Sequence, residues 1–237
     1  MSHTSQRRGF DPARPNQEFI ILVMSHSDYR ELAGVKSAMS EMAVAMLRHG
    51  PVSYMSKNFT ALDIPELPLP REFFALIETL FGDAGKEIIM QLVGQESQVI
   101  TATYNDRARV VNLLSEIRGD WLARNRQQGY PISVVLSTVA EDGHGCCQEI
   151  GLREHTYLHS LGFFGNVQDM PSGDELAIAT MCGHGLISIQ RIRNLVEKVR
   201  SGTITATQAG EDIAKPCVCG IANPVRAATV FQALADA

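Results

Sequence analysis

Glu18–Met24 reads EFIILVM, a short apolar run bounded by polar residues, and its length and branched side chains mark a buried strand. Ser25–Asp28 (SHSD) follows as a turn with helix-capping side chains. Over 29–48, Leu32, Val35, Met39, Met42, Val44, Met46 and Leu47 recur close to helical spacing and stop at Gly50-Pro51. The methionines of this helix read as core filler. Strand then helix is the opening of a βα unit.

The pattern continues downstream. Residues 61–70 (ALDIPELPLP) are rich in proline and predict a connecting loop. Two helical stretches, 71–81 and 84–93, straddle Gly82-Asp83. Residues 98–104 (QVITATY) alternate as a strand. Asn105 or Asp106 then caps a helix running to about Arg126, with Val110, Leu113, Leu114, Ile117 and Trp121 inward. Ile132–Ser137 (ISVVLS) predicts a second buried strand. A glycine-containing loop with His144, Cys146 and Cys147 comes next, then a helix over about 148–161, a loop over 162–173, and a third strand, 175–181 (ELAIATM). Strand–helix–strand order predicts a parallel pairing.

The last third is helical. Ile189, Ile192, Leu195, Val196 and Val199 share one face, ended by Gly202. Thr205-Ala-Thr-Gln208 has capping-box form and opens a helix to about Ala214, stopped by Pro216. Asn223-Pro224 is an N-cap with proline in the first turn of a final helix reaching about Leu234. The expected class is α/β: a small parallel or mixed sheet with flanking helices and a helical C-terminal region. The expected organisation is a flexible tail over 1–17, an α/β domain over 18–181, and a helical cysteine-containing region over 182–237 packed on it. A single domain over 18–237 is the alternative.

The chain has 237 residues, 45% hydrophobic and 20% charged, ordinary for a globular protein. The net charge of −5, without a basic stretch interleaved with aromatics, argues against nucleic acid. The two arginines near the start precede no apolar segment, and no run is long enough to span a bilayer. A cytoplasmic location without membrane association is therefore expected.

All five cysteines lie between residues 146 and 219, with three of the seven histidines in that span and His144 just ahead of it. An odd number of cysteines in a reducing compartment points to metal binding or thiol chemistry rather than disulfides. Met181-Cys-Gly-His-Gly185 falls at an expected strand-to-helix junction, where glycines allow a sharp turn. There Cys182 is a candidate nucleophile or ligand, and His184 a base or ligand. Cys217-Val-Cys219, framed by Pro216 and Gly220, can present two sulfurs to one metal. His144-Gly-Cys146-Cys147 follows a strand, at an expected sheet edge. His144 is a catalytic candidate, and one of Cys146 and Cys147 is a ligand or nucleophile. His155 and His159 stand four apart on an expected helix, a ligand spacing. His26, Asp142 and Glu149 are secondary candidates.

From Cys182 to Ala233 the chain resembles the C-terminal helical [2Fe–2S] domain of molybdenum hydroxylase small subunits. The matching pieces are Cys182-Gly183, a helix over 186–200, Thr205 to Ala214, Cys217-Val-Cys219 and the helix from Asn223. Where that family has a second cysteine soon after the first, this chain has His184, and Val218 replaces the arginine within its C-x-C. The resemblance implies a cluster on Cys182, Cys217 and Cys219, completed by His184, Cys146 or Cys147. Met181–Gly185 is also similar to the catalytic cysteine loop of proline racemases.

Three readings follow. One is a metal-dependent enzyme or redox protein, an oxidoreductase for instance, using an iron–sulfur cluster or zinc, with a small-molecule substrate or a redox partner protein. The second is a metal-free thiol enzyme with Cys182 as nucleophile or proton carrier. The third is a non-enzymatic module stapled by metal or sensing redox state.

Overall fold

The computed structural model describes residues 18–56, 59–60, 97–156 and 164–237, with isolated positions at 7, 79–80, 82, 84 and 162. The expected tail over 1–17, the proline-rich loop over 61–70 and the helices over 71–93 lie almost wholly outside these residues. The chain divides into two compact units, Asn16–Arg153 and Glu154–Ala237, the latter grouped with Met1–Pro15.

The first unit is built on the quoted run. Strand β1 (Phe19–Ser25) is buried along nearly its whole length and sits between two others. Helix α1 (Ala33–Arg48) follows, then β2 (Ser53–Ser56), β3 (Phe59–Thr60) and β4 (Val99–Tyr104). Next come α2 (Arg107–Arg118), α3 (Asp120–Gln127), β5 (Ile132–Ser137) and α4 (Ala140–Glu149). The sheet order is β3-β2-β4-β1-β5.

Every pairing is antiparallel, which corrects the parallel expectation. β1 meets β4 with Phe19 opposite Tyr104, and β5 with Ile20 opposite Ser137; β2 meets β4 with Ser53 opposite Thr103. The cause is an inserted strand. β1 and β2 both run antiparallel to β4, so they point the same way, as a helical crossover requires, but β4 lies between them. β1 separates β4 from β5 in the same manner. Leaving aside the two-residue β3, this is the β-α-β-β-α-β order of a split βαβ sheet. β1, β4 and β5 fall on expected strands, β2 and β3 do not, and the strand expected over 175–181 is a helix.

A hydrophobic cluster lies on one sheet face. Phe19, Ile21 and Val23 alternate inward from β1 and join Tyr54, Ile100, Ala102 and Tyr104. The inner faces of α1 and α2 close over them with Met39, Met42, Met46, Val110, Leu113 and Leu114. Two aromatic tips are fixed to α1. The Tyr104 hydroxyl donates to the Met46 carbonyl at 2.6 Å and Trp121 Nε1 donates to the Ala38 carbonyl at 2.8 Å. Met46 is in the last turn of α1, where carbonyls lack helical partners, so Tyr104 satisfies a group the helix leaves open.

Local differences have local causes. α1 begins at Ala33 because Ser27–Tyr29 take a 3-10 turn. The helix expected over 106–126 breaks at Gly119 into α2 and α3. β5 alternates between half-buried and exposed residues because it is an edge strand. The expected loop at His144–Cys147 is helix α4, whose buried side follows Asp142, Cys146 and Ile150 at four-residue intervals. That helix ends at Glu149, ahead of Gly151, so the helix expected over 148–161 does not form across 150–156.

The second unit is helical: α5 (Gly173–Ala179), α6 (Ile189–Arg200), α7 (Ala206–Ala214) and α8 (Pro224–Asp236). The strand expected over 175–181 is α5. Ser172 and Glu175 form a capping box that satisfies two of the open amides of the first turn, and the apolar alternation is overridden. Ile178, Ile192, Leu195, Ile213, Ala227 and Phe231 are buried within the unit. Arginines of α6 reach all three neighbours. Arg193 pairs with Glu175 of α5 at 2.6 Å, Arg191 with Asp212 of α7 at 3.0 Å, and Arg200 Nη2 donates to the Leu234 carbonyl of α8 at 3.0 Å. α7 meets α8 at Gly210, where backbone approaches backbone.

Candidate metal centre

Two connections in the helical unit carry the site. The α5–α6 connection holds Cys182, three residues beyond the end of α5. The α7–α8 connection holds Cys217 and Cys219, ahead of the N-cap Asn223. At its start the Cys217 amide donates to the Ala214 carbonyl at 2.9 Å, and at its end the N-cap Asn223 side chain accepts from the Arg226 amide.

The three sulfurs form a triangle. Cys182 Sγ lies 3.4 Å from Cys217 Sγ and 3.4 Å from Cys219 Sγ, and Cys217 Sγ lies 3.5 Å from Cys219 Sγ. All three are buried: Cys182 is 0% exposed, Cys217 3% and Cys219 8%. Together they could hold a metal ion. Backbone amides point at sulfur from the start of α8. The Ala222 amide donates to Cys217 Sγ at 3.3 Å, and the Asn223 amide donates to the Met181 sulfur at 3.1 Å.

The electrostatics are uneven across the triangle. The adjoining sulfurs of Cys182 and Cys219, with the amides of Ala222 and Ile221, hold the Cys217 thiol far below its ordinary range, to about 2. Cys182 is pushed up to about 11, first by its contact with Cys217. Cys219 is raised by the same neighbours and by burial. The surroundings thus favour ionisation of Cys217 ahead of Cys182 and Cys219. A cation supplies what lets all three ionise together.

His184 stands beside the triangle, with Nδ1 3.1 Å from Cys182 Sγ. Its side chain is exposed, and it is not among the groups within 4.8 Å of one another. Gly183 (φ 76°) and Gly185 (φ 69°) flank it in the left-handed region.

Of the residues singled out in the sequence, Cys182, Cys217, Cys219 and His184 come together. Cys146 and Cys147 belong to α4 of the sheet unit. Cys146 is fully buried in that core, and burial raises its thiol. His144 is half-buried on the same helix, Asp142 is buried, and Glu149 pairs with Arg107 at 2.6 Å. His155 is exposed on a bend rather than on a helix; His159 lies outside the described residues. His26 caps the turn after β1, its Nδ1 accepting from the Asp28 amide. The contributions of Met181 and the Ala222 amide escape a sequence reading, because residue type does not signal a thioether acceptor or a backbone donor. The Asn223-Pro224 cap was the available sign that amides converge there.

No helix among the described residues is long and apolar enough to cross a membrane. Comparison with protein-family models, curated proteins and solved structures yields no match.

Proposed function

We propose that the helical unit is a single-ion metal-binding module in which Cys182, Cys217 and Cys219 act as thiolate ligands to zinc. The observation that carries this is the spacing of the sulfurs, 3.4–3.5 Å on every side. Metal–sulfur bonds of about 2.3 Å in a tetrahedron put neighbouring sulfurs about 3.8 Å apart, so this triangle is close to one face of a mononuclear site. In an iron–sulfur cluster, cysteines terminating different irons stand wider apart, which favours one ion over the cluster that the C-terminal resemblance implies.

The Cys182–His184 contact supports a second reading, a thiol–imidazole pair of the catalytic kind. Cys182 is fully buried and its proton is held more tightly than usual, the reverse of an activated nucleophile. The metal reading is preferred on that ground.

The test is elemental analysis of the purified full chain beside Cys217→Ser and Cys146→Ser. One zinc per chain, lost from Cys217→Ser and kept by Cys146→Ser, is the expected result. Iron with matching acid-labile sulfide would replace the single-ion reading by a cluster. A metal-free chain unable to take up zinc or cobalt would overturn both.

A further inference from the structure

The three sulfurs and His184 differ in how firmly they are held. The sulfurs are buried, and the connection carrying Cys217 and Cys219 runs into the capped N-terminus of α8. His184 is exposed, stands between two left-handed glycines, and places its Nδ1 3.1 Å from Cys182 Sγ. A tetrahedral ion on the three sulfurs turns its fourth corner away from their shared face. The glycines on either side permit the backbone at His184 to turn toward that corner.

We propose that His184 is an exchangeable fourth ligand and that a small thiol takes its place on the metal. This rests on the single-ion reading above. Three thiolates donate enough charge to make the ion a weak Lewis acid, poorly suited to ionising water and well suited to a soft sulfur donor. In the exchange the metal–Nδ1 bond breaks and a metal–sulfur bond forms. The thiol's proton passes to the released imidazole, so charge and protons balance with no oxidant or reductant. Leu186 and Val218, neighbours in sequence of His184 and of the two C-x-C ligands, are 47% and 75% exposed. They leave exposed apolar surface close in sequence to the ligands.

The experiment loads the full chain and His184→Ala with cobalt(II) under anaerobic conditions and titrates each with 2-mercaptoethanol or imidazole. Far-UV circular dichroism confirms that both are folded. Wild type should show sulfur-to-cobalt charge transfer. His184→Ala should retain that band with altered ligand-field bands, and imidazole should restore them. The thiol should raise the charge-transfer intensity by roughly one third in both, the step from three to four thiolates, and at least about tenfold less thiol should suffice in His184→Ala. Loss of cobalt from His184→Ala would make His184 a fixed ligand and overturn the proposal. Identical spectra for the two proteins, or no response to thiol, would also overturn it. Absence of thiolate charge transfer in wild type would instead strike the single-ion reading, and the exchange with it.

Discussion

A methyl group on Gly210 would come within 2.3 Å of the Pro224 carbonyl oxygen and 2.9 Å of the Ala228 amide. Helices α7 and α8 therefore touch backbone to backbone just where the chain between them carries Cys217 and Cys219. Gly210→Ala gains about 1 kcal/mol of helix propensity. It also forces the helices apart, at a cost of about 1–3 kcal/mol for overpacking. The expected result is a net loss of stability together with weaker zinc binding. Chemical denaturation with and without zinc, and a competitive chelator titration, measure the two effects. An alanine variant as stable and as tight as wild type would show that the close approach does not set the site.

Proton release on metal uptake follows from the uneven triangle. The Cys217 thiol is pushed down, while those of Cys182 and Cys219 are pushed up. Near neutral pH, zinc binding should release about two protons per ion rather than three. Titration in weakly buffered solution with a pH indicator counts them. A count of three would mean that the charge on Cys217 is absent before metal arrives.

Glu116 joins α2 to the C-terminal end of α1. His49 Nε2 and Arg48 Nη1 each lie 2.8 Å from one of its oxygens, and the His49 contact first, then Arg48, holds the carboxyl below its usual 4.5. A lowered folded-state value means that the stabilisation is complete above about 4.5 and disappears as pH falls through the lowered value. Wild type should lose Tm more steeply than Glu116→Gln between pH 5 and 3, the variant starting lower. Parallel Tm–pH curves would remove Glu116 from the acid response.

Tyr104→Phe tests the anchor on α1. The hydroxyl satisfies the Met46 carbonyl in a fully buried position. Its removal leaves that carbonyl without this partner and should destabilise the sheet unit by about 1–3 kcal/mol. Urea denaturation gives the value. Zinc affinity should be unchanged, since Cys182, Cys217 and Cys219 lie in the other unit.

Legibility from sequence followed the range of the forces. Elements fixed by short-range pattern were readable: β1 from its apolar run, α7 from Thr205 and Gln208, α8 from Asn223-Pro224. Glu175–Met181 misled because its alternation resembles a strand, although Ser172 and Glu175 already spelled a helix start. Gly143 and Gly145 suggested a loop where burial of Cys146 and Ile150 stabilises α4. The insertion of β4 between β1 and β2 depends on contacts between distant segments, which local periodicity does not encode. The site was legible in its residue types, since Cys182, Cys217, Cys219 and His184 stood out as scarce and glycine-framed. Its membership was not, because nothing in spacing alone separates Cys146 and Cys147 from the triangle.

The sulfurs that meet across the helical unit are 35 positions apart in the chain. An ion bridging Cys182 to Cys217 works as a cross-link of that span, and closing such a loop restricts the unfolded chain by about 4 kcal/mol. A disulfide of similar reach is governed by the redox poise of its surroundings. With the proposed ion in place, such a link would be made and undone by the supply of free metal.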